Sequence, residues 1–321
     1  MEKLLCGVDL GGTKLASVLM RRNGEILQEI NLRDHTDKSA DQISEMIAGM
    51  IRRMLREESI TAEALEGIGV VFPGHVRWKD GVCITTSNLA DAFKNYPLRK
   101  KVRDNFPSVP VYLDNDANAQ ALAEMTYGAG RGYSDLIFMT ISTGIGAGII
   151  LNGKLLRGMT GTAGEVGHAI INPASPRKCT CGNYGCLMTE ACAMFLPDIA
   201  IEFLRSGVQT KMGITVQNAR ERVNGYTLEE GVKSGDPLCT AVADHSADAV
   251  GISVYNLFQT FNPPLVILGG GLTLIGDYYI RRIRNKFKFL AKDMMFDEME
   301  ITTAKTGNKA GVIGAAALPL E

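Results

Sequence analysis

The chain has 321 residues, 45% of them hydrophobic, which is enough for about two domains with sizeable cores. Its 34 basic and 35 acidic residues give a net charge of −1, which argues against a general attraction to nucleic acid or anionic lipid. The start, MEKLLCGVDLGG, lacks a basic and apolar leader, and the uncharged stretch 136–153 is too short and too rich in Gly, Ser and Thr to span a bilayer. We therefore expect a cytoplasmic protein with reduced thiols.

The hydrophobic pattern predicts an α/β chain in which several strands run directly into glycine turns. In chain order, the predicted strands are 4–10, 15–20, 67–74, 109–113, 135–142, 147–156 and 265–272. The predicted helices are 41–57, 118–130, 250–261 and 309–320. Pro263 and Pro264 end the third helix, and the small residues of the last helix favour close packing against another backbone.

Two segments share one plan, GVDLGGTKLASVLMRRNGEIL and MTISTGIGAGIILNGKLL. Each has a strand, a glycine-rich turn, a second strand and a turn with Asn and Gly. A hairpin unit used twice predicts two related halves that face each other, although coincidence is an equally weighted alternative because such hairpins are common. No stretch has the composition of a linker, so the domain boundary is expected in ordinary loops near residues 116–120.

The first glycine turn, DLGGTK, has the composition of a phosphate-binding loop. Backbone N–H groups at Gly11 and Gly12 can line a concavity, and Thr13 and Lys14 add a hydroxyl and a cation. Asp9 can hold Mg²⁺ directly or through water. A plain hairpin turn explains the glycines but not the three flanking polar residues.

Two further turns are weaker signals of the same kind. The second turn, 142–148, contains Thr143 and Gly144 and offers hydroxyls and glycines without charge. The third, with Gly270 and Gly271, leaves room for an adenine or ribose at a strand-to-helix junction. The Walker pattern and the Rossmann pattern GxGxxG are both absent, so neither of those nucleotide folds is supported.

Two polar clusters are candidates for catalysis and substrate binding. Four Asx side chains follow a predicted strand, namely Asp114, Asn115, Asp116 and Asn118. One of them could be a helix N-cap, but four exceed that need, and a carboxylate there could act as a general base. In GEVGH, Glu165 and His168 have a spacing that lets both side chains meet on one face of a turn.

The cysteines concentrate in CTCGNYGCLMTEAC, residues 179–192. Cys179, Cys181 and Cys186, with His168, could complete a closed tetrahedral zinc site of the structural type. Cys192 is a rival fourth ligand, and a pair of disulfides is the other alternative. Zinc is favoured in a reducing compartment, where it would fix the loop and orient His168.

Taken together and in order, these motifs resemble the ROK family of bacterial sugar kinases and related repressors, over nearly the whole chain. The motifs that carry the resemblance are DLGGTK, DNDANAQALAE, STGIGAGI, GEVGH, CTCGNYGC, LGGG and the tail GVIGAAAL. The resemblance implies a two-domain actin-like ATPase fold of ribonuclease-H-like topology with an interdomain cleft. We expect an N-terminal domain at 1–117, a larger domain with the zinc knuckle at 118–304, and a C-terminal helix at about 305–321 that returns to the first domain.

The resemblance also implies roles for individual residues. Asp116 matches the catalytic base that takes the proton from the 6-hydroxyl of a sugar while ATP–Mg²⁺ supplies the phosphoryl group. The implied sugar-binding residues are Gly74, Asn88, Asn115, Glu165 and His168. The implied nucleotide-binding residues are Asp9, Gly11, Gly12, Thr13, Lys14, Thr143, Gly144, Gly270 and Gly271. The implied zinc ligands are His168, Cys179, Cys181 and Cys186.

One departure from the family concerns the sugar pocket. The family usually reads G-C-L-E after the knuckle, with the glutamate contacting the sugar, whereas this chain has Met188 there and its next acid at Glu190. Either Glu190 reaches the sugar instead, or the pocket lost one acceptor, which costs on the order of 1–3 kcal/mol for a buried hydroxyl.

The sequence therefore predicts an ATP-dependent hexose kinase with glucose as the default sugar, and mannose, fructose, allose or N-acetylmannosamine as alternatives. A sugar-responsive repressor is a second hypothesis, but Asp9 lies too early for a preceding helix-turn-helix domain. A non-catalytic sugar sensor is a third. We expect a homodimer, with neither nucleic acid nor membrane as partner.

Overall fold

The computed structural model describes residues 2–86, 89, 93–292 and 298–321. The chain forms two compact units. The first unit comprises three stretches, Met1–Asp135, Gly148–Gly164 and Ala304–Glu321. The second comprises two stretches, Leu136–Ala147 and Glu165–Thr303. Within the described residues, no helix has both the length and the apolar character needed to cross a bilayer.

In the described part of the chain, the strands form two five-stranded sheets and one separate hairpin. In chain order they are β1 (Leu4–Leu10), β2 (Leu15–Met20), β3 (Ile26–Leu32), β4 (Leu65–Phe72), β5 (His75–Arg77), β6 (Val82–Thr85), β7 (Val111–Asn115), β8 (Leu136–Ile141), β9 (Ile145–Leu151), β10 (Lys154–Leu155), β11 (Leu265–Gly269) and β12 (Glu300–Thr303). The strands β5 and β6 form the separate hairpin.

The two large sheets have the same strand arrangement. Their orders are β3-β2-β1-β4-β7 and β10-β9-β8-β11-β12. In the first sheet β1 pairs antiparallel with β2 and parallel with β4, and β4 pairs parallel with β7. In the second sheet β11 pairs parallel with both β8 and β12, and β10 pairs antiparallel with β9. This repeated arrangement agrees with the hairpin repeat predicted from the sequence.

The helices are more numerous than the sequence pattern predicted, and one of them is much longer. In chain order they are α1 (Ala40–Glu57), α2 (Leu98–Asn105), α3 (Asp116–Tyr127), α4 (Leu187–Ala191), α5 (Leu196–Arg205), α6 (Ala219–Arg222), α7 (Gly225–Ser234), α8 (Pro237–Phe261), α9 (Asp277–Ala291) and α10 (Ala310–Ala317). The predicted helix 250–261 is only the second half of α8, which begins after Asp236, whose side chain accepts a hydrogen bond from the Cys239 N–H. Its predicted end is confirmed, because Asn262 adopts a left-handed conformation before the two prolines.

Helix α1 illustrates why the sequence pattern found some helices. Ser39 accepts a hydrogen bond from the Gln42 N–H, and the Gln42 side chain bonds back to the Ser39 N–H, so the helix starts with a capping box. The apolar residues spaced along one face, including Ile43, Ile47 and Ile51, are all buried. This face packs against the core of the first unit.

The C-terminal helix α10 packs within the first unit at backbone distance, as its small residues predicted. A Cβ atom added at Gly314 would lie 1.8 Å from the carbonyl oxygen of Ala119 in α3. One added at Gly69 in β4 would lie 1.8 Å from the Ala315 carbonyl oxygen, and one at Gly7 in β1 would lie 2.2 Å from the Val312 carbonyl oxygen. Glycine is therefore required on both sides of this interface.

Candidate active site

The Asx cluster lies where β7 ends and α3 begins. Asn115 is the N-cap of α3, because its side chain accepts a hydrogen bond of 2.8 Å from the Asn118 N–H. Asp114 is buried and accepts bonds of 2.8 Å from both the Asn115 N–H and the Asn118 amide group. Asn115, and not Asp116, is therefore the residue that caps this helix.

Asp116 is the first residue of α3 and is partly exposed. One of its carboxylate oxygens accepts a hydrogen bond of 2.9 Å from the Ala117 N–H. Its negative charge also helps to raise the pKa of Asp9, so the two carboxylates lie close enough to interact. Within the first unit, Asp116 thus bonds to the start of its own helix, and its charge also acts on Asp9 beside the first glycine turn.

Asp9 lies at the end of β1, directly before the first glycine turn. Burial and, to a smaller extent, the charge of Asp116 raise its pKa to about 6, although the charge of Lys14 opposes both. A Cβ atom added at Gly311, in the first turn of α10, would lie 2.3 Å from one carboxylate oxygen of Asp9. In the turn itself, the Gly11 N–H donates to the Lys14 carbonyl at 2.8 Å. The Asp9 carboxylate, which is partly exposed, is therefore held in a narrow position beside α10.

His35 is a residue of this region that sequence reasoning missed. Its side chain is fully buried, and its Nε2 lies 2.8 Å from the carbonyl oxygen of Gly11 in the first glycine turn. The other ring nitrogen, Nδ1, has no hydrogen-bond partner in the described part of the chain. Nε2 must carry a proton to donate to the carbonyl, so the imidazole supports the turn in that tautomer. A lone histidine in a loop offered no pattern that could have identified it.

The second and third glycine turns lie next to each other in the second unit. The Ser142 N–H donates to the Gly144 carbonyl at 2.8 Å, which closes the second turn. A Cβ atom added at Gly270, where φ is +89°, would lie 2.4 Å from the Ile141 carbonyl oxygen. Gly271 lies beyond it, with Ser142 Oγ 3.8 Å from the position of an added Cβ atom. The sequence motifs for these turns are thus brought together at the ends of β8 and β11.

The cysteine cluster has the donors and spacing of a tetrahedral metal site. One potential ligand atom from each of His168, Cys179, Cys181 and Cys186 lies within 4.8 Å of all the others. The Cys179 sulfur lies 3.4 Å from Nδ1 of His168, and the sulfurs of Cys181 and Cys186 are 3.7 Å apart. Three sulfurs and one imidazole nitrogen suit Zn²⁺, so the residues present fit this ion.

Two observations concern the alternatives to zinc, a disulfide pair and ligation by Cys192. All seven cysteines are free, so no disulfide is formed. Cys192 is outside the group of four and is buried, and burial raises the pKa of its thiol to about 11. It lies apart from the four clustered ligand atoms, as a small buried side chain. Gly182 and Gly185, at φ of +93° and +73°, provide the tight turns of the loop.

The predicted sugar-binding residues lie in several different segments. Glu165 and His168 flank a short 3-10 turn, where the His168 N–H donates to the Glu165 carbonyl at 3.0 Å. Both side chains are partly exposed, and Gly167 between them lies against the Ile145 carbonyl in the second unit. Gly74, at φ of +151°, lies against the Thr85 carbonyl in the first unit. Asn88 lies outside the described residues.

Glu190 is engaged in a buried ionic network. Its carboxylate pairs with Arg177 and accepts bonds from His245 Nε2 at 3.0 Å and from the Asn172 amide at 3.3 Å. Burial opposes ionisation, but the hydrogen bonds from His245 and Ser175 and the charge of Arg177 lower the pKa of Glu190 to about 2. The carboxylate is therefore ionised and its acceptor positions are largely used by the protein.

Met188 lies on a different side of the short helix α4. Residues two apart on a helix point about 200° apart, so Met188 and Glu190 face opposite directions. A Cβ atom added at Gly144 would lie 3.4 Å from the terminal methyl of Met188. The thioether side chain, rather than a carboxylate, therefore borders the second glycine turn.

A sequence model of the ROK family matches residues 5–321, and the chain belongs to this family. It is 31% identical to a glucokinase of Halalkalibacterium halodurans, over 98% of this chain and 94% of that protein. It is 32% identical to a xylose repressor of Caldicellulosiruptor bescii, over 99% of this chain and 78% of that protein.

A solved structure of a ROK family glucokinase from Streptomyces griseus, in complex with glucose and AMPPNP, has the same fold. The TM-score is 0.75 at 30% identity, and the match covers 98% of each chain. The two sheets and their helices therefore form the actin-like ATPase fold that the sequence motifs predicted.

Proposed function

We propose that this protein is an ATP-dependent kinase that phosphorylates the 6-hydroxyl of a hexose, with Asp116 as general base. The observation that carries the proposal is the placement of Asp116, whose carboxylate is electrostatically coupled to Asp9 at the first glycine turn while Asn115 caps the helix. Similarity to two glucokinases, one of them bound to glucose and a nucleotide analogue, supports the same reaction class.

The nucleotide is proposed to bind at the glycine turns. The residues concerned are Asp9, Gly11, Gly12, Thr13, Lys14, Thr143, Gly144, Gly270 and Gly271. The backbone N–H groups of the turns and the Lys14 ammonium oppose phosphate charge, and Asp9 is the residue that would hold Mg²⁺. Mg²⁺ bound to the nucleotide neutralises charge on the phosphates during transfer.

Asp116 is proposed to accept the proton of the attacking hydroxyl. Phosphoryl transfer has a loose transition state, so the position of the hydroxyl matters more than the strength of the base. Asn115, Glu165 and His168, with Gly74 and Asn88, are the proposed sugar-binding residues. Glu190 is a weaker candidate than it was from the sequence, because Arg177 and His245 already occupy its carboxylate.

Zinc is proposed to have a structural role in this reaction. Bound by His168, Cys179, Cys181 and Cys186, it would fix the cysteine loop and present Nε2 of His168 to a sugar hydroxyl, because Nδ1 faces the cysteine cluster. Elemental analysis of freshly purified protein should find about one zinc per chain. Zinc far below one equivalent, in protein purified without chelator, would contradict this assignment.

The sugar is proposed to be glucose, with mannose, fructose, allose and N-acetylmannosamine as alternatives because Met188 replaces the glutamate usual in the family. A homodimer in the cytoplasm, without nucleic acid or membrane partners, is proposed from the same family resemblance. The second candidate function is a sugar-responsive regulator without kinase activity, which is favoured by the similarity to a xylose repressor.

The experiment that tests the proposal is an ADP-release assay across hexoses and N-acetylhexosamines, with Asp116→Asn as the critical variant. Loss of the base should lower kcat by about 10²–10⁴-fold, while sugar affinity measured by calorimetry changes little. Asp104→Asn is the control, since Asp104 pairs with Lys100 on the exposed face of α2. Sugar binding without ADP release from any sugar would favour the regulator, and unchanged turnover in Asp116→Asn would remove Asp116 from the mechanism.

A further inference from the structure

A buried ionic cluster lies beside the Asx junction in the first unit. Arg157 donates from Nε to the Asp114 carboxylate at 2.7 Å and from both terminal nitrogens to the side-chain carboxylate of Glu321. The side chains of Arg157, Asp114 and Glu321 are only 14%, 4% and 12% exposed, respectively. A planar guanidinium can bridge two carboxylates in this way, and we call this arrangement of Arg157 between Asp114 and Glu321 the fork. A lysine ammonium cannot reproduce it.

Asp114 transmits this contact to the start of α3. Its second oxygen accepts the bonds from the Asn115 N–H and the Asn118 side chain, one on each side of Asp116. The Asp114 carboxylate thus connects the end of β7, the first turn of α3 and Arg157. A shift of Asp114 would move the backbone that carries Asp116.

The same arginine contacts the sole tryptophan of the chain. The Arg157 guanidinium lies over the indole of Trp78, 4.9 Å from the ring centroid, in cation–π geometry. Gly161, four residues after Arg157, lies against the hairpin of β5 and β6, since an added Cβ atom would be 2.2 Å from the Val76 carbonyl oxygen. Arg157 therefore connects this hairpin and the loop 156–164 to the Asx junction.

We propose that Arg157 is a positioning residue for the base, acting through Asp114 and held in place by Trp78 and Glu321. The expected change in kcat rests on the proposed kinase function. The expected change in the position of Asp116 does not. Without the fork, Asp114 loses its fixed partner, and the Asp116 carboxylate shifts relative to Asp9. Misplacement of a reacting group by about 1 Å can cost on the order of 10²-fold in rate.

The kinetic test compares Arg157→Lys and Arg157→Met with the wild type. Arg157→Lys keeps the charge but loses the fork, so kcat should fall about 10- to 100-fold while the sugar KM changes less than about threefold. Arg157→Met should lower kcat further if it folds. The matched control is Arg77→Lys, because Arg77 forms an exposed ion pair with Asp80 on the same hairpin. A folded Arg157→Lys variant with kcat within twofold of an active wild type would overturn the proposal.

The geometric test needs no turnover. Crystal structures of the wild type and of Arg157→Lys should differ in the separation of the Asp9 and Asp116 carboxylates by about 1 Å. The emission of Trp78, the single tryptophan, reports whether the hairpin stays docked in each variant. An unchanged carboxylate separation in a docked variant overturns the positioning role even if the protein proves not to be a kinase. An inactive wild type would refute the proposed function alone.

Discussion

The two glycine hairpins of this protein have the same topology but different chemistry. The turn between β1 and β2 and the turn between β8 and β9 each place a partly exposed glycine beside an exposed threonine, Thr13 and Thr143. The first turn adds a carboxylate at Asp9 and a cation at Lys14, whereas the second has no ionisable side chain between Ser142 and Gly148. The two copies of one hairpin unit thus carry different side chains at their turns.

The surroundings of the two turns differ as well. Asp9 is covered by the first turn of α10, where Gly311 leaves no room for a side chain, and His35 supports the Gly11 carbonyl from a buried position. The second turn meets only the flexible end of Met188 at the corresponding glycine, Gly144. The first turn thus has a buried histidine and a helix packed beside it, whereas the nearest neighbour of Gly144 in the second turn is a methionine side chain.

The largest effect should come from removing the charge that distinguishes the first turn. Asp9→Asn should lower kcat/KM for MgATP by about 10²–10³-fold, the range typical of losing one preorganised electrostatic contact. Thr143→Ala, at the second turn, removes one hydroxyl and should cost only about 1 kcal/mol, or about fivefold. Steady-state kinetics with MgATP as the varied substrate measures both. Equal losses in the two variants would show that the turns do not differ in role.

The pH dependence of Asp9 sharpens this prediction. Because burial and the charge of Asp116 raise its pKa to about 6 against the opposing charge of Lys14, MgATP affinity should fall as the pH drops through 6 and the carboxylate takes up a proton. The folded state binds more protons than the unfolded state between pH ~4 and 6, so stability falls as pH rises through this window. Asp9→Asn should therefore be at least as heat-stable as the wild type at pH 7, although it is less active. A lower Tm would contradict this account of Asp9.

A smaller effect should come from filling the space beside each turn. In Gly311→Ala, the new Cβ would lie 2.3 Å from an Asp9 oxygen, and overpacking of this kind costs about 1–3 kcal/mol, which outweighs the better helix propensity of alanine. In Gly144→Ala, the new Cβ would lie 3.4 Å from the end of a methionine, which can move. Thermal melts should therefore show a loss of several degrees for Gly311→Ala and about 1 °C or less for Gly144→Ala.

Much of this comparison could be predicted from the sequence, because glycine-rich hairpins carry local signals. The strands of both hairpins, the turns and the small-residue helix α10 all follow from short-range pattern. Strand β3 was missed because its residues are mostly half-buried and alternate weakly. Helix α9 was not among the predicted helices, because its apolar residues Ile280, Ile283 and Phe287 are separated by charged ones.

The contacts that shape the candidate site could not be predicted in the same way, since they join residues far apart in the chain. Arg157 meets Asp114 across 43 positions, and His35 meets Gly11 across 24. The motif GEVGH and the cysteines were predicted to share a metal site because the spacing of zinc ligands is a local signal. The orientation of Glu190 away from Met188 depends on Arg177 and His245, and no local pattern connects those residues.

The effect most specific to the second turn should come from Met188→Glu. A carboxylate there restores an acceptor beside Gly144, where Glu190 cannot reach because it faces the opposite side of α4. The quantity to measure is the ratio of kcat/KM for the intact sugar to kcat/KM for an analogue that lacks one hydroxyl. If residue 188 borders the sugar, this ratio should rise about tenfold in Met188→Glu, because an unpaired hydroxyl costs about 1–3 kcal/mol. Met188→Leu, which keeps the volume without an acceptor, is the control. A ratio unchanged across the deoxy series, together with a higher KM for MgATP, would instead mean that residue 188 borders the nucleotide, because an added negative charge repels phosphate.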